Sequence, residues 1–117
     1  MSDGPTITLS AEDAKLVTLA RAARARGGTV EGAAVRDGDG RTYAGVSVSL
    51  ASLSLTALQY AVASAVNGGA DLIEAAVVCT EASTLDTAGQ SAVRDVSLSA
   101  PIHLTSPTGV VLGTFVE

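Results

Sequence analysis

One cysteine in 117 residues excludes an intramolecular disulfide and any thiolate cluster around a metal. No tryptophan, two tyrosines and one phenylalanine leave few large anchors for a core, and a single histidine, His103, confines imidazole chemistry to one position. Apolar runs are short. The longest nearly unbroken one, residues 75–79, falls far below the roughly 20 residues of a membrane-spanning helix. The N-terminus shows no basic flank followed by an apolar signal stretch, so the expected location is the cytoplasm. Twelve acids against seven bases give a net charge of -5 with no dense basic patch, which argues against nucleic acid or an anionic membrane as partner.

What is there is small and apolar. The chain is 47% hydrophobic, and 21 of its residues are alanine and 12 glycine. Its length suits one domain, expected over residues 10–117 behind a flexible lead at 1–9. Small side chains let elements approach closely, and a chain with few anchors gains burial by associating with copies of itself, so a homo-oligomer, dimer or tetramer, is expected. Six arginines to one lysine, with the Ala, Gly and Val bias, is the codon signature of a GC-rich bacterial genome.

Ser10 with Asp13 opens a helix in the manner of a capping box, and Leu16, Val17, Leu19, Ala20 and Ala23 give it an apolar stripe that ends at Gly27-Gly28. Residues 30–36 and 41–50 read as strands joined by Asp37-Gly38-Asp39-Gly40, a good hairpin signal. A second helix starts at Leu53 or Ser54, buries Leu55, Leu58, Val62, Ala65 and Val66, and stops at Asn67-Gly68-Gly69. Residues 72–79 form an apolar strand covered on both faces near the sheet centre. A polar loop, a helix at 88–96 and strands at 101–105 and 109–116 complete the order α-β-β-α-β-α-β-β. That order implies an α/β fold, a three-layer α/β/α sandwich on a mixed sheet.

The chemistry on offer is thin. Catalysis at His103 requires a nucleophile and an orienting group converging on it, and no such group is identifiable from the sequence, so His103 reads as a surface or interface residue. Cys79 ends an apolar strand and reads as a small buried hydrophobe. Glu12-Asp13 sits at a helix start, where acids complement the dipole.

Gly32-Ala33-Ala34-Val35 before a DG-containing hairpin, then Arg41-Thr42-Tyr43-Ala44-Gly45 and Val46-Ser47-Val48, then a helix ending in Gly-Gly and an apolar strand, together resemble the small homo-oligomeric cytidine deaminases. The resemblance spans residues 16–109 and implies their α/β/α fold. It also implies zinc, held by a His or Cys plus two Cys, with a Glu that moves protons between water and base. Here the reactive residues of that pattern are replaced. The C-A-E start of the zinc helix falls on Thr56-Ala57-Leu58 when aligned through the helix, or on Leu58-Gln59-Tyr60 when aligned from the strand before it. In the P-C-x-x-C motif, Asp86 and Gly89 stand in place of the two cysteines, and the nucleoside-recognising N-V-E-N reads Ser47-Val48-Ser49-Leu50.

The sequence therefore implies no catalytic residue and no zinc, with Thr56, Leu58, Asp86 and Gly89 marking the lost motifs. Thr29, Gly32, Ala33, Ser47, Ser49, Thr56, Ala57 and Thr87 would line what is left of the pocket. The expected function is a pseudo-deaminase serving as an oligomeric scaffold or as a regulatory partner of another protein. Two alternatives stand beside it. One is an enzyme with a rearranged site built from Thr56, Asp86 and His103; the other is a small-molecule sensor presenting Thr29, Ser49, Ser52, Thr56 and Thr87 to a neutral ligand.

Overall fold

The computed structural model describes residues 8–117. The first seven residues of the expected lead lie outside the described residues, and Leu9 packs against the core beneath the first helix. That helix, α1 (Ala11–Gly27), begins where Ser10 accepts the Asp13 N–H at 3.1 Å and ends at Gly28, whose φ of 64° suits glycine. The expected capping box is only half made. Asp13 sends its carboxylate across to the sheet and leaves the Ser10 N–H without it.

The strands β1 (Glu31–Asp37) and β2 (Thr42–Val46) form the expected hairpin, paired from Gly32↔Val46 to Arg36↔Thr42. Its turn is held by Asp37, which is buried. One carboxylate oxygen accepts the N–H groups of Asp39 and Arg41, both at 2.9 Å, while the other accepts the Tyr43 hydroxyl at 2.9 Å. Burial pushes the Asp37 carboxyl up, and these donors outweigh it and hold it below the usual carboxylate range.

Beyond Val46 the chain departs from expectation. Instead of one long strand and an immediate helix, Val48–Ser49 (β3) pairs with Ser54–Leu55 (β4) in a small separate hairpin. Leu50 N–H bonds to Leu53 C=O across its loop at 2.8 Å. Helix α2 (Ala57–Asn67) therefore starts three or four residues later than expected, and Leu55 and Val66 drop out of its buried stripe, which is Ala57, Leu58, Ala61, Val62 and Ala65. The remaining elements are β5 (Ile73–Thr80), α3 (Thr87–Val96), β6 (Ile102–Thr105) and β7 (Val111–Phe115).

The main sheet has the order β2-β1-β5-β6-β7, with β5 and β6 parallel and every other pair antiparallel. This mixed sheet carries α1 on one face and α2 with α3 on the other, the three-layer sandwich expected, with β5 at its centre. Leu16, Val17 and Ala20 of α1 pack on Ala34, Ala75, Val77 and Cys79, which places Cys79 in the core. The opposite face gathers Ala33, Val35, Val78, Ile102 and Leu104 against Leu58, Ala61, Val62 and Val93.

The alanines work inside the subunit. Ala57, Ala61 and Ala65 are fully buried, and α2 comes so near β2 that a Cβ built on Gly45 would lie 3.0 Å from the Ala57 carbonyl. Ala57, Ala61 and Ala65 of α2 thus belong to the core of the single chain. No helix of the described residues is long and apolar enough to cross a membrane.

Candidate functional site

Two helix N-termini and one strand end meet where the sequence placed its altered motifs. Helix α2 opens on a complete capping box, in which Thr56 Oγ1 accepts the Gln59 N–H at 3.1 Å and Gln59 Oε1 accepts the Thr56 N–H at 3.0 Å. Helix α3 opens on Asp86, whose Oδ1 accepts the Gly89 N–H in a short hydrogen bond. Side chains of both lead residues are thus committed to N–H groups that the first helical turn leaves unpaired.

Leu58 lies between them, fully buried. A Cβ built on Gly89 would sit 2.7 Å from Leu58 Cβ and 2.6 Å from Asp86 Oδ2, so Leu58, Asp86 and Gly89 converge on one point with no room for a side chain at 89. Asp86 Oδ2 is buried there without a hydrogen-bond partner. Glu31, at the start of β1 and paired across to Thr80, lies close enough to Asp86 to feel its charge. Burial first, and the Asp86 carboxylate second, push the Glu31 carboxyl above its ordinary value, with a Thr80 hydrogen bond offsetting part of this.

These residues do not fit zinc. A catalytic zinc ion takes thiolate, imidazole or carboxylate ligands from three positions. Here position 56 has a hydroxyl spent on a cap, 86 a carboxylate half spent on a cap, and 89 has no side chain. Nor is there a proton carrier at Leu58. Among the described residues no three of His, Cys, Asp and Glu gather as a metal set.

The other pocket candidates scatter. The Thr29 hydroxyl donates to the Glu31 carbonyl at 2.7 Å, a local turn contact. Gly32 faces away from the site: a Cβ there would run into the Ala20 carbonyl and the Arg24 amide of α1, so it serves the close approach of helix to strand. Ala33 and Ala57 are core, Ser47 is half-buried between β2 and β3, and Ser49, Ser52 and Thr87 are exposed. Grooves open elsewhere, as in one of about 390 Å³ bounded by Ala23, Arg26, Val46, Val48 and Tyr60.

His103 is a correction. It is 5% exposed rather than a surface residue, because it alternates with Ile102 and Leu104 onto the sheet face that α1 covers. The whole sheet therefore separates it from Asp86, and the combination of Thr56, Asp86 and His103 is not assembled. Instead His103 Nε2 meets Asp13 Oδ2 at 2.9 Å and Nδ1 meets Thr114 Oγ1 at 2.8 Å. Asp13 Oδ1 accepts from Arg36 at 2.9 Å, and Arg36 donates to Glu74 at 2.8 Å. Burial pushes the Asp13 carboxyl up, but bonds from His103 and Arg36 outweigh this and hold it below the ordinary value.

The sequence reading missed this network, although it carried a signal. Asp13 falls at helical spacing with Leu16, Val17 and Ala20, which puts it on the buried stripe, and Arg36 shares the α1-facing side of β1 with Ala34.

The sequence matches the profile of the cytidine deaminase-like family over residues 9–109. In fold the chain is similar to the 1.6 Å crystal structure of cytidine deaminase from Burkholderia pseudomallei, with a TM-score of 0.78 and 23% identity over 92% of this chain and 93% of that one. It is also similar to the crystal structure of cytidine deaminase from Mycobacterium leprae, with a TM-score of 0.65 and 21% identity over 89% and 95% of the two chains. No curated protein matches the sequence.

Proposed function

The chain belongs to the cytidine deaminase-like family, and from that premise we propose that it is a pseudo-deaminase, one that keeps the fold, does not deaminate cytidine, and acts as an oligomeric scaffold or binding partner. One observation carries this reading: the point where Leu58, Asp86 and Gly89 converge is closed by packing and by a helix cap. The helix-start register Thr56-Ala57-Leu58 accounts for it, since Thr56 caps α2 and Leu58 then stands where the family's proton-carrying Glu would be. Deamination needs a polarised water and a group that moves its protons. A leucine and a glycine supply neither.

In this reading residues 10–117 act as one domain that presents apolar surface to a partner. The β3–β4 hairpin holds Leu50 at 66% and Leu53 at 49% exposure, beside the groove at Val46, Val48 and Tyr60. Such a patch suits a second copy or another protein better than water. The test is uridine formation from cytidine by protein supplied with zinc, followed by chromatography, with native mass measured on the same sample. No uridine and a mass of two or four chains is the expected result. Turnover that survives repurification and is lost in Asp86→Ala would overturn the proposal.

A further inference from the structure

The requirement that the sequence alone left unmet at His103, a nucleophile on one side and an orienting carboxylate on the other, is met in three dimensions. Asp13 Oδ2 lies 2.9 Å from Nε2 and Thr114 Oγ1 lies 2.8 Å from Nδ1. Asp13 is anchored in turn by Arg36, which Glu74 holds. An ionised Asp13 only accepts, so whenever the His103 ring carries a single proton that proton sits on Nε2. Nδ1 is then bare and accepts the Thr114 hydroxyl proton. The imidazole is buried, whereas Thr114 is exposed on β7, the edge strand of the sheet. An edge strand also leaves outward main-chain N–H groups unpaired, which are the donors at hand for a developing oxyanion.

We propose that Thr114, His103 and Asp13 form an acyl-transfer triad in which the Thr114 hydroxyl attacks small activated carboxylic esters. This site lies on the α1 face, across the sheet from the closed one, and stands apart from the pseudo-deaminase reading. In the step, the bond from Thr114 Oγ to the acyl carbon forms and the ester C–O bond breaks. The hydroxyl proton passes to Nδ1 and from there to the leaving oxygen. Water then reverses the sequence, with Nδ1 taking its proton, and releases the carboxylic acid. Asp13 is a positioning residue that fixes the tautomer; Thr114 and His103 touch the reacting atoms. The exposed, unwalled setting of Thr114 points to short acyl groups.

The test uses p-nitrophenyl acetate with the full chain, reading p-nitrophenolate release and mapping the acetyl group by mass spectrometry. Acetylation at Thr114 is expected, retained in Thr114→Ser and absent in Thr114→Val, a shape-matched change at an exposed strand position. His103→Gln is expected to slow release by about 100-fold or more, the usual contribution of a general base. Asp13→Asn is expected to slow it too and Asp13→Glu to restore part of the rate, with melting curves confirming that each variant is folded. Acetyl found only on Lys15 or other amines, with Thr114 unlabelled, overturns the proposal. So does a Thr114→Val chain that releases p-nitrophenolate as fast as the parent.

Discussion

Replacing Leu58 by glutamate, the residue type that the family resemblance implies here when the motif is aligned through the helix, tests whether the site is closed. Leu58 has no exposed surface, and its Cβ shares with Asp86 Oδ2 a contact point within 2.7 Å. Losing the buried leucine costs about 1.5–3 kcal/mol. A carboxylate in its place has no cation among the neighbours described above, only Asp86 and, beyond it, Glu31, and burial of an unpaired carboxylate adds several kcal/mol more unless it stays protonated. The sum, at least about 4 kcal/mol, is a large share of the roughly 5–15 kcal/mol that holds a domain folded. The cost also depends on pH. A carboxyl whose folded pKa is raised favours folding below its unfolded value and loses that contribution as pH rises through the folded one. Urea unfolding followed by circular dichroism at pH 5 and pH 8 is the assay, with Leu58→Met as a control expected to cost less than about 1.5 kcal/mol. The glutamate variant is expected to unfold far earlier, and more so at pH 8. A glutamate variant within about 0.5 kcal/mol of the parent at pH 8, the behaviour of a surface position, would mean that position 58 is not closed.

Gly89→Ala, normally a gain of about 1 kcal/mol inside a helix, is expected here to destabilise by about 1–3 kcal/mol because its methyl meets Leu58 Cβ and the Asp86 carboxylate; a higher melting temperature would contradict the packing. Asp13 has a lowered pKa in the fold, so its contribution is present above the unfolded carboxylate value and lost as pH falls through the folded one. Thermal melts of Asp13→Asn should therefore fall below the parent near neutral pH, by about 1.5–3 kcal/mol, and converge with it in strong acid. A constant gap at all pH values would show that the carboxylate charge is not what matters. Glu31 behaves with the opposite sign: its pKa is raised, so its contribution is present below the unfolded value and lost as pH rises through the folded one. Glu31→Gln should melt higher than the parent at pH 7 and lose that advantage toward pH 4, and a lower melting point at pH 7 would contradict a carboxyl raised by burial and by Asp86.

Local signals carried the elements well. Ser10 and Gly28 bound α1 because a hydroxyl and a left-handed glycine are what helix ends demand, and the Asp-Gly turn set the β1–β2 register. The apolar spacing points to an earlier start for α2 because Leu55, three residues before Leu58, extends its stripe. Pairing of Ser54–Leu55 with Val48–Ser49 is a contact between strands, which a helical period does not encode. Strand alternation is enough to set His103 on the side opposite Ile102 and Leu104. That this side is covered depends on Asp13, 90 residues earlier, arriving with α1. In the same way, the motif positions 58, 86 and 89 were legible as residue types. Their closure into a packed contact was not, because it depends on how nearly α3 approaches α2.

In the proposed reading, Leu58 is a plug and Thr56 and Asp86 are helix caps where the family resemblance implies a metal site. Its most direct test is the zinc content of the untagged protein, dialysed against zinc and then against buffer, measured by elemental analysis. The expected result is far less than one zinc per chain, unchanged in Asp86→Ala. One tightly held zinc per chain, lost in Asp86→Ala, would contradict it.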